Sequence, residues 1–298
     1  MEYKQLGTSA LKVSEVSFGC MSLAGEEEEN IRLLHQALEG GINFFDTADL
    51  YAKGENEKLV GKAFKDKRDQ VVLASKVGNQ WRPDGSGWDW NPTKAYILKA
   101  IEQSLQRLQT DYLDLYQLHG GTIEDPIDET IEAFELLKEQ GKIREYGISS
   151  IRPNVIRAYV DKSNLVSVMM QYSLLDRRPE EQMLELLQHH QVGVLARGSL
   201  AQGLLLGKPP KLYLNHTVEE VGQAAEALKA IAGEAQVMET AVRYVLQHPA
   251  ITTAVLGIRT DTHLQQAFSA AQAAGLDPNI LLSLQRQIPK EVYEQHRN

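Results

Sequence analysis

The chain has 298 residues, of which 43% are hydrophobic and 24% are charged, as is typical of soluble proteins with a sizeable core. Its formal net charge of −9 argues against a broad surface for nucleic acids or anionic membranes, because such surfaces depend on clustered lysines and arginines. Cys20 is the only cysteine, which excludes a disulfide framework and a cysteine metal cluster within one chain, and we expect no resident metal.

The amino-terminal part predicts a hairpin and then the first strand and helix of the main fold. Residues 1–13 carry charge early and lack an apolar signal region, so we expect a cytoplasmic protein. Two short extended pieces flank Gly7 and predict a small β-hairpin. Residues 16–19 then predict a strand, and residues 30–39 predict a helix. No segment is long and apolar enough to predict insertion into a membrane.

The next three apolar runs are each followed by polar, titratable residues. These are residues 42–45 before Asp46 and Tyr51, residues 71–75 before Lys76, and residues 113–118 before His119. Each run is short and rich in branched or aromatic side chains, which is typical of a buried strand. Between the second and third runs, residues 79–92 form a long polar loop with Trp81, Trp88 and Trp90, and loops of that length tend to be functional.

The remaining segments continue an alternation of strands and helices. Helices are predicted at residues 57–64, 93–108, 129–139 (closed by Gly141), from Pro153 onward, and at 180–189, 218–232, 237–247 and 262–273. Further strands are predicted at residues 145–149, 166–171, 192–196 and 253–256, and a final helix after Pro278. No linker rich in proline, glycine or serine divides the chain, so we expect one domain over residues 1–298.

The count of eight strand–helix pairs predicts an α/β fold, a (β/α)8 TIM barrel with a short N-terminal β-hairpin and a C-terminal helical extension. A doubly wound open sheet is the alternative, but the GxGxxG phosphate fingerprint is missing after the first strand. In a barrel, functional residues lie on the loops that follow the strands. The residues that follow the strands here are therefore expected to meet at one mouth.

Four of these strand-end residues could together form a catalytic site, namely Asp46, Tyr51, Lys76 and His119. A phenol is a reluctant proton donor, but a nearby ammonium stabilises the phenolate, so Lys76 would make Tyr51 a general acid. Asp46 would pair with Lys76, and His119 could donate a hydrogen bond to a carbonyl oxygen of the substrate. None of these side chains supplies a hydride, whereas a nicotinamide cofactor does.

Taken singly, these residues have simpler interpretations. Asp46 is compatible with a turn or helix cap, Lys76 with a solvated strand end, and His119 with a buried core position. Separate structural explanations for all four residues at one rim are improbable. The coincidence favours a catalytic site.

Several motifs resemble the aldo-keto reductase family over essentially the whole chain. They are FDTADLYAKGENEKLVG, which contains Asp46 and Tyr51, the LASK ending in Lys76, the QLH ending in His119, QGKIREYGIS and LAQGLL. The resemblance implies a TIM barrel that binds NADPH in extended form without a Rossmann domain and reduces aldehydes or ketones. It also places the four residues above at the positions of the family's catalytic tetrad.

The resemblance further implies the cofactor contacts. At the nicotinamide end, Gly19, Cys20, Met21 and Asp46 would contact the ribose side, Ser149, Ser150 and Gln171 the carboxamide, and Tyr172 the ring. The loop over the pyrophosphate would contain Arg197, Gly198, Ser199, Leu200, Gln202 and Gly203, and the adenosine end would contact Gly257, Ile258, Arg259, His263 and Gln266. Arg259 would bind the 2′-phosphate, since arginine forms bidentate, charge-assisted hydrogen bonds.

The chain departs from the family pattern at two places. Ser150 stands where asparagine is common, and Ala267 stands where the family commonly has a residue that reads adenine. Adenine recognition and the preference for NADPH over NADH are thus less constrained than the tetrad. Two other functions stay open: a Schiff-base aldolase that uses Lys76, and a cofactor-binding regulatory subunit of a membrane complex. The natural carbonyl substrate, the oligomeric state and the role of the tryptophan loop, a substrate wall or surface packing, also stay open.

Overall fold

The computed structural model describes residues 1–297. The strands are β1 (Tyr3–Gln5), β2 (Lys12–Ser14), β3 (Val16–Gly19), β4 (Phe44–Asp46), β5 (Val72–Val77), β6 (Asn79–Trp81), β7 (Trp88–Trp90), β8 (Leu113–Leu118), β9 (Ile143–Ser149), β10 (Ser167–Gln171), β11 (Gly193–Arg197) and β12 (Ile251–Gly257). The helices are α1 (Glu27–Glu39), α2 (Glu55–Phe64), α3 (Lys94–Leu108), α4 (Ile127–Glu139), α5 (Pro153–Lys162), α6 (Met183–His189), α7 (Val218–Ala232), α8 (Val237–Leu246), α9 (Asp261–Gln272) and α10 (Pro278–Gln287).

Eight of these strands close into a barrel, which confirms the predicted fold. The order around the barrel is β3, β4, β5, β8, β9, β10, β11 and β12, and β12 pairs with β3 to close it. Neighbouring strands are parallel, and at least one helix follows each of them. All eight strands therefore end at the same mouth of the barrel.

The opposite end of the barrel is closed by the β1–β2 hairpin, as the sequence predicts. Leu6 is fully buried and belongs to a cluster of apolar side chains that includes Phe44, Leu115 and Leu195 from the barrel strands. Gly7 has a φ of +56°, and a Cβ there would lie 2.3 Å from the carbonyl oxygen of Val166. The hairpin packs too closely for a ligand at this end, which leaves the carboxyl ends of the strands for function.

The amphipathic pattern also predicts the helices that cover the barrel. In α3, Ile97, Ile101 and Leu108 are buried, and the Thr93 side chain accepts a hydrogen bond from the backbone N–H of Tyr96 at 3.4 Å. Gly141 follows α4 with a φ of +73°, as expected for a residue that ends a helix. Most element bounds differ from the predicted ones by one or two residues.

Three segments differ from the sequence-based expectation. Residues 79–92 contain the β6–β7 hairpin rather than an irregular loop, because Asn79–Trp81 and Trp88–Trp90 pair in antiparallel register. The predicted helix at residues 180–189 is split into a 3₁₀ turn, Arg178–Glu181, and helix α6. Tyr51 opens a 3₁₀ turn rather than lying in a loop. Among residues 1–297, no helix combines the length and apolar character required to cross a bilayer.

Candidate active site

A buried ion pair lies at the mouth of the barrel between β4 and β5. Lys76 Nζ donates to Asp46 Oδ2 at 2.6 Å and to the carbonyl oxygen of Thr47 at 2.8 Å. The third donor of the ammonium points to Tyr51, whose hydroxyl oxygen lies 3.2 Å from Nζ. Lys76 is only 1% exposed. The Asp46 carboxylate thus balances the charge of a lysine that is withdrawn from water, and the Thr47 carbonyl and Tyr51 hydroxyl oxygens accept its other two N–H bonds.

Tyr51 is held by an unusual backbone path after β4. The turn Tyr51–Gly54 contains Ala52 and Lys53 with positive φ values of 48° and 56°, and Gly54 follows at 87°. Thr47 Oγ1 donates to Asn56 Oδ1 at 2.6 Å, and Asn56 Nδ2 donates to the carbonyl oxygen of Cys20 at 2.9 Å. These bonds connect α2 to the barrel and fix the segment that carries the phenol. Such strained backbone is common at functional sites.

The protonation states of Lys76 and Asp46 depend on one another. Burial alone would lower the pKa of Lys76, but Asp46 and Tyr51 outweigh burial and hold that pKa above its ordinary value. Burial raises the pKa of Asp46, and this effect exceeds the opposing effects of Lys76 and Gln117. The lysine is therefore an ammonium at neutral pH, with its three donors directed at three oxygens.

His119 follows β8, the strand that pairs with β5, and its backbone N–H donates to the carbonyl oxygen of Val77 at 2.7 Å. Its ring meets the ring of Tyr51 edge-on, with the centroids 5.7 Å apart and the planes at 85°. Burial lowers the pKa of His119 to about 3, and the positive charges of Lys76 and Arg197 act in the same direction. The imidazole is therefore neutral, and its buried Nδ1 makes no hydrogen bond within the described residues.

The structure thus brings together all four residues predicted for the tetrad, and it adds Gln117. This residue is fully buried, and its Nε2 donates to Asp46 Oδ1 at 3.3 Å. It lies opposite Lys76 in the register between β5 and β8, so both side chains point into the barrel. Sequence reasoning used Gln117 only as part of the QLH motif. The alternation of side chains along β8 could have placed it beside Asp46.

Comparison with known proteins agrees with this geometry. Residues 15–280 match the profile described as "Aldo/keto reductase family". The chain belongs to this family. It is 48% identical, over the full length of both chains, to "Uncharacterized oxidoreductase YqkF" of Bacillus subtilis, and 32% identical to "Aldo-keto reductase YhdN" of the same organism, with 89% of this chain and 87% of YhdN covered. The structure of "aldo-keto reductase AKR11C1 from Bacillus halodurans (holo form)" superposes with a TM-score of 0.96, at 50% identity and complete coverage of both chains.

As a member of the aldo/keto reductase family, the chain is an oxidoreductase, and the rest of the mouth has features of a dinucleotide site. At β10 and β11, Gln171 Nε2 donates to the hydroxyl of Tyr213 at 2.9 Å, and Gln171 Oε1 accepts from Arg197 at 3.3 Å. Ser149 and Ser150 are buried at the end of β9. Ser150 Oγ accepts from the backbone N–H of Arg152 at 3.2 Å, so this hydroxyl already has a local role.

Tyr172 does not have the accessible ring that stacking on a nicotinamide requires. It is 2% exposed, and its hydroxyl donates to Glu180 at 3.0 Å. Its ring packs against Tyr244 of α8, with the centroids 6.1 Å apart. Since the ring faces the helical layer rather than the mouth, this geometry contradicts the stacking role that the resemblance implies. Sequence could not show this, because Tyr244 is 72 positions away along the chain.

The residues after β3 and β11 also divide into accessible and buried groups. Cys20 is fully buried, so only its backbone can meet a ligand, whereas Met21 next to it is 68% exposed.

After β11, Gly198 and Gly203 have φ values of 72° and 88°, which L-residues rarely adopt. Ser199 Oγ is buried without a partner among residues 1–297. Backbone N–H groups near such glycines, together with a free hydroxyl, suit a phosphate group.

The rest of this loop, with Leu200 and Gln202, has other contacts. Leu200 is half-buried against the core, and Gln202 is exposed. The Gln202 side chain accepts from Lys211 at 2.7 Å, and its carbonyl oxygen accepts from Lys208 at 3.0 Å. These lysines are an additional source of positive charge beside the loop. A phosphate would find both backbone donors and cations there.

The residues predicted to contact the adenosine end of the cofactor lie at the end of β12 and in α9. Gly257, Arg259, His263 and Gln266 are exposed, and the last two lie on one face of α9. Among residues 1–297, no carboxylate forms an ion pair with Arg259, since the neighbouring Asp261 pairs with Arg32 at 2.9 Å. Ile258 is buried, and its carbonyl oxygen accepts from Ser22 at 2.9 Å, so its side chain is not available to a ligand. Ala267 faces the core.

The tryptophan hairpin β6–β7 adjoins the tetrad. The six-membered ring of Trp90 lies close to Gly78 and Gly120, the residues after Val77 of β5 and after His119. Its indole nitrogen donates to Asp125 at 3.0 Å, which anchors the hairpin. Lys53, two residues after Tyr51, places its Nζ 5.1 Å from the centre of the Trp81 ring. The hairpin therefore borders the site on the side of Tyr51 and His119.

Proposed function

We propose that the protein transfers a hydride from NADPH to the carbonyl carbon of an aldehyde or ketone and gives the alcohol, in a reversible reaction. The observation that supports this most directly is the chain of contacts from Asp46 through Lys76 to Tyr51, with distances of 2.6 and 3.2 Å. It connects a buried charge to a phenol at the mouth. Family membership and the likeness to a structure named as a holo form also favour a cofactor-dependent reductase.

The residues have complementary roles in this proposal. NADPH supplies the hydride when it is bound. Tyr51 donates its proton to the oxygen that becomes the alcohol, and the ammonium of Lys76 stabilises the phenolate that remains. Asp46 holds the ammonium in place, and Gln117 holds Asp46. His119, as a neutral imidazole, orients the carbonyl oxygen while negative charge develops on it.

The remaining residues would bind the cofactor and shape the substrate site. We assign the nicotinamide end to Gly19, Met21, the backbone of Cys20, Ser149 and Gln171, the pyrophosphate to residues 198–203, and the 2′-phosphate to Arg259. Trp81 and Trp90 would form a wall for an apolar carbonyl substrate, because they border Tyr51 and His119. A cytoplasmic location fits a chain whose single cysteine is buried and unpaired.

The geometry weighs against a Schiff-base aldolase. A nucleophilic lysine needs a free lone pair on its nitrogen. Here burial would favour the neutral amine, but the contacts of Lys76 with Asp46, Thr47 and Tyr51 hold its pKa above the ordinary value. An ammonium that donates to three oxygens is a poor nucleophile. Failure of borohydride to trap a substrate on Lys76 is the expected result.

The test of the proposal combines binding and turnover. NADPH and NADH are titrated by fluorescence, and oxidation of the cofactor is then followed with a panel of aromatic, aliphatic and sugar aldehydes. For Tyr51→Phe we expect cofactor binding within about twofold of the wild type and a loss of kcat on the order of a thousandfold, because the proton donor is removed. Full activity of Tyr51→Phe would refute the proton-donor assignment. Tight NADPH binding without turnover of any substrate would instead favour the regulatory-subunit alternative.

The cofactor preference has a separate test. Replacing Arg259 by Ala removes the charge assigned to the 2′-phosphate, which NADH lacks. We expect the Kd of NADPH to rise by roughly tenfold to a hundredfold, while that of NADH changes little. An equal effect on both cofactors would exclude a contact between Arg259 and the 2′-phosphate.

A further inference from the structure

Asp261 is a carboxylate close to the arginine that we assign to the 2′-phosphate. It is the first residue of α9 and lies two positions after Arg259. Thr260 between them has an extended backbone, with φ of −142° and ψ of 160°. Side chains two positions apart across an extended residue project towards the same side, and their Cα atoms lie about 7 Å apart. A negative charge is therefore built into the chain beside the site assigned to an anionic group.

These two side chains favour opposite cofactors. An arginine forms charge-assisted hydrogen bonds with the 2′-phosphate of NADPH. A carboxylate accepts a hydrogen bond from the 2′-hydroxyl of NADH and repels a phosphate. If the Asp261 carboxylate were free, it would also be a ready partner for Arg259, because only one residue separates the two. The preference at the adenosine end therefore depends on what the carboxylate of Asp261 is bound to.

Arg32 of α1 binds both oxygens of that carboxylate. Its Nη1 donates to Asp261 Oδ1 at 2.9 Å, and its Nη2 donates to Asp261 Oδ2 at 3.0 Å. This bidentate arrangement is the most specific one that a guanidinium and a carboxylate form. Arg259, in contrast, forms no ion pair with a carboxylate of the described residues 1–297. Arg32 thus neutralises Asp261 and directs it towards α1, and Arg259 keeps its charge for a ligand.

The fold does not depend on this ion pair to hold α9 against α1. The side chains of Arg32 and Asp261 are 52% and 57% exposed, and exposed ion pairs contribute little to stability. The two helices are held by apolar packing instead, since Leu264 of α9 is buried in the core and the ring of Phe268 occupies the space that a Cβ at Gly40 would fill. A bidentate pair with so small a structural role is suited to the control of charge.

We infer that Arg32 is a positioning residue, which holds the carboxylate of Asp261 away from the 2′-phosphate and so keeps the site selective for NADPH over NADH. The inference rests on the proposed function, because it takes Arg259 as the partner of the 2′-phosphate. At about 7 Å in water, one full charge corresponds to an affinity difference of about threefold. A phosphate monoester carries about −1.5 to −2 charges at pH 7, so release of Asp261 should weaken NADPH by roughly fivefold to tenfold.

The experiment measures the Kd of NADPH and of NADH by fluorescence titration at about 10 mM ionic strength, where exposed charges are little screened. Arg32→Met releases the carboxylate of Asp261, Asp261→Asn breaks the same ion pair but leaves no carboxylate, and the double variant removes both charges. Lys162→Met is the matched control, because Lys162 pairs with Asp128 at 2.9 Å in an exposed ion pair on the opposite side of the barrel. Circular dichroism and the unfolding midpoint confirm that each variant is folded.

We expect Arg32→Met to raise the Kd of NADPH by roughly fivefold to tenfold, without raising that of NADH. Asp261→Asn and the double variant should bind NADPH at least as tightly as the wild type, and Lys162→Met should keep both dissociation constants. The effect of Arg32→Met should shrink at about 0.5 M salt, because salt screens exposed charges. A merely structural ion pair would give the same loss in both single variants, since each of them breaks it.

Three outcomes would overturn the inference. They are wild-type affinities in Arg32→Met, an equal loss of NADPH affinity in Arg32→Met and Asp261→Asn, and a double variant that keeps the loss seen in Arg32→Met. In each case a selective loss of NADPH affinity in Arg259→Ala would still support the contact between Arg259 and the 2′-phosphate. A wild type that binds NADPH and NADH equally well would refute both the inference and the assignment of Arg259.

Discussion

Two ion pairs adjoin consecutive residues of β5, since Lys76 belongs to one and Ser75 forms a hydrogen bond to the other, and their hydrogen bonding differs. Lys76 points into the barrel and pairs with Asp46 at 2.6 Å. Ser75 points outward and donates to Glu57 Oε1 at 2.5 Å, while Glu57 Oε2 accepts from Arg107 at 2.6 Å. The side chains of Lys76 and Glu57 are buried, whereas that of Arg107 is 20% exposed. The alternation of side chains along a strand places the two pairs on opposite faces.

In the outer pair, Glu57–Arg107, both carboxylate oxygens accept hydrogen bonds. Beside the inner pair, Lys76–Asp46, a neighbouring polar atom has no hydrogen-bond partner among residues 1–297. Both oxygens of Glu57 have partners, and Arg107 packs so closely on α2 that a Cβ at Gly61 would lie 2.6 Å from its carbonyl oxygen. At the inner pair, the hydroxyl of Tyr51 is half-buried at the mouth, and His119 Nδ1 has no partner among residues 1–297. A satisfied buried charge supports the fold. An ion pair that lies beside a partly exposed hydroxyl, such as that of Tyr51, can take part in a proton transfer.

Replacing Lys76 by Met should give the largest effect, because it acts on both the fold and the reaction. We expect kcat to fall by on the order of a thousandfold or more, since the phenolate of Tyr51 loses its cation. The free energy of unfolding should fall by about 3 kcal/mol, because Asp46 stays buried without its partner. Single-turnover kinetics and urea unfolding measure the two effects. A variant that keeps normal kcat would refute the role of the ammonium.

Replacing Arg107 by Met should instead affect stability alone. Glu57 has a fully buried side chain, so loss of its partner should cost about 3 kcal/mol in unfolding free energy. We expect kcat to stay within about threefold, because Arg107 contacts no reacting group. The double variant Glu57→Leu, Arg107→Met should recover part of the lost stability in a double-mutant cycle. A large fall of kcat in folded Arg107→Met would show that the two pairs are coupled.

The lowered pKa of His119 predicts a specific dependence on pH. Its pKa in the folded protein is about 3, below the ordinary value of 6.5, so the unfolded chain binds the proton more readily. Stability should therefore fall as the pH drops from about 6.5 towards 3, with a contribution of at most about 1.4 kcal/mol per pH unit. His119→Gln should reduce this slope in urea titrations at several pH values. An inflection of kcat/KM near pH 6.5 that His119→Gln abolishes would contradict a neutral imidazole.

Asp49 lies between the two pairs and should give the smallest effect. Burial, with a further contribution from Glu57, raises its pKa to about 8, and its Oδ1 has no partner among residues 1–297. Between about pH 4 and pH 8 the unfolded chain is ionised at this position and the folded protein is not, so stability falls as the pH rises. Asp49→Asn removes this loss and should gain at most about 2.7 kcal/mol relative to wild type on going from pH 5 to pH 7, at about 1.4 kcal/mol for each of the two pH units. An equal difference at both pH values would show that Asp49 is ionised in the folded state.

The barrel and the tetrad could be predicted from sequence because their signals are local. Apolar runs of strand length alternate with helical periodicity, and Asp46, Lys76 and His119 each lie at or near the end of such a run. Parallel strands in a closed barrel end at one mouth whatever the details of packing, so strand-end residues meet there. Family motifs around Tyr51 and His119 agreed with that argument.

Only the tertiary structure decided which of the neighbouring residues face the mouth. Tyr172 and Arg197 both follow or end barrel strands, but Tyr172 is drawn outward by Tyr244 and Glu180, which come from other elements. Residues 79–90 pair as a hairpin because the strands supply each other's hydrogen bonds, and Trp90 finds its acceptor in Asp125. Contacts with residues distant in the chain determine how these side chains are oriented, and a local sequence pattern does not indicate those contacts. The sequence by itself therefore determined the barrel and its reactive end, and packing determined which side chains a ligand can reach.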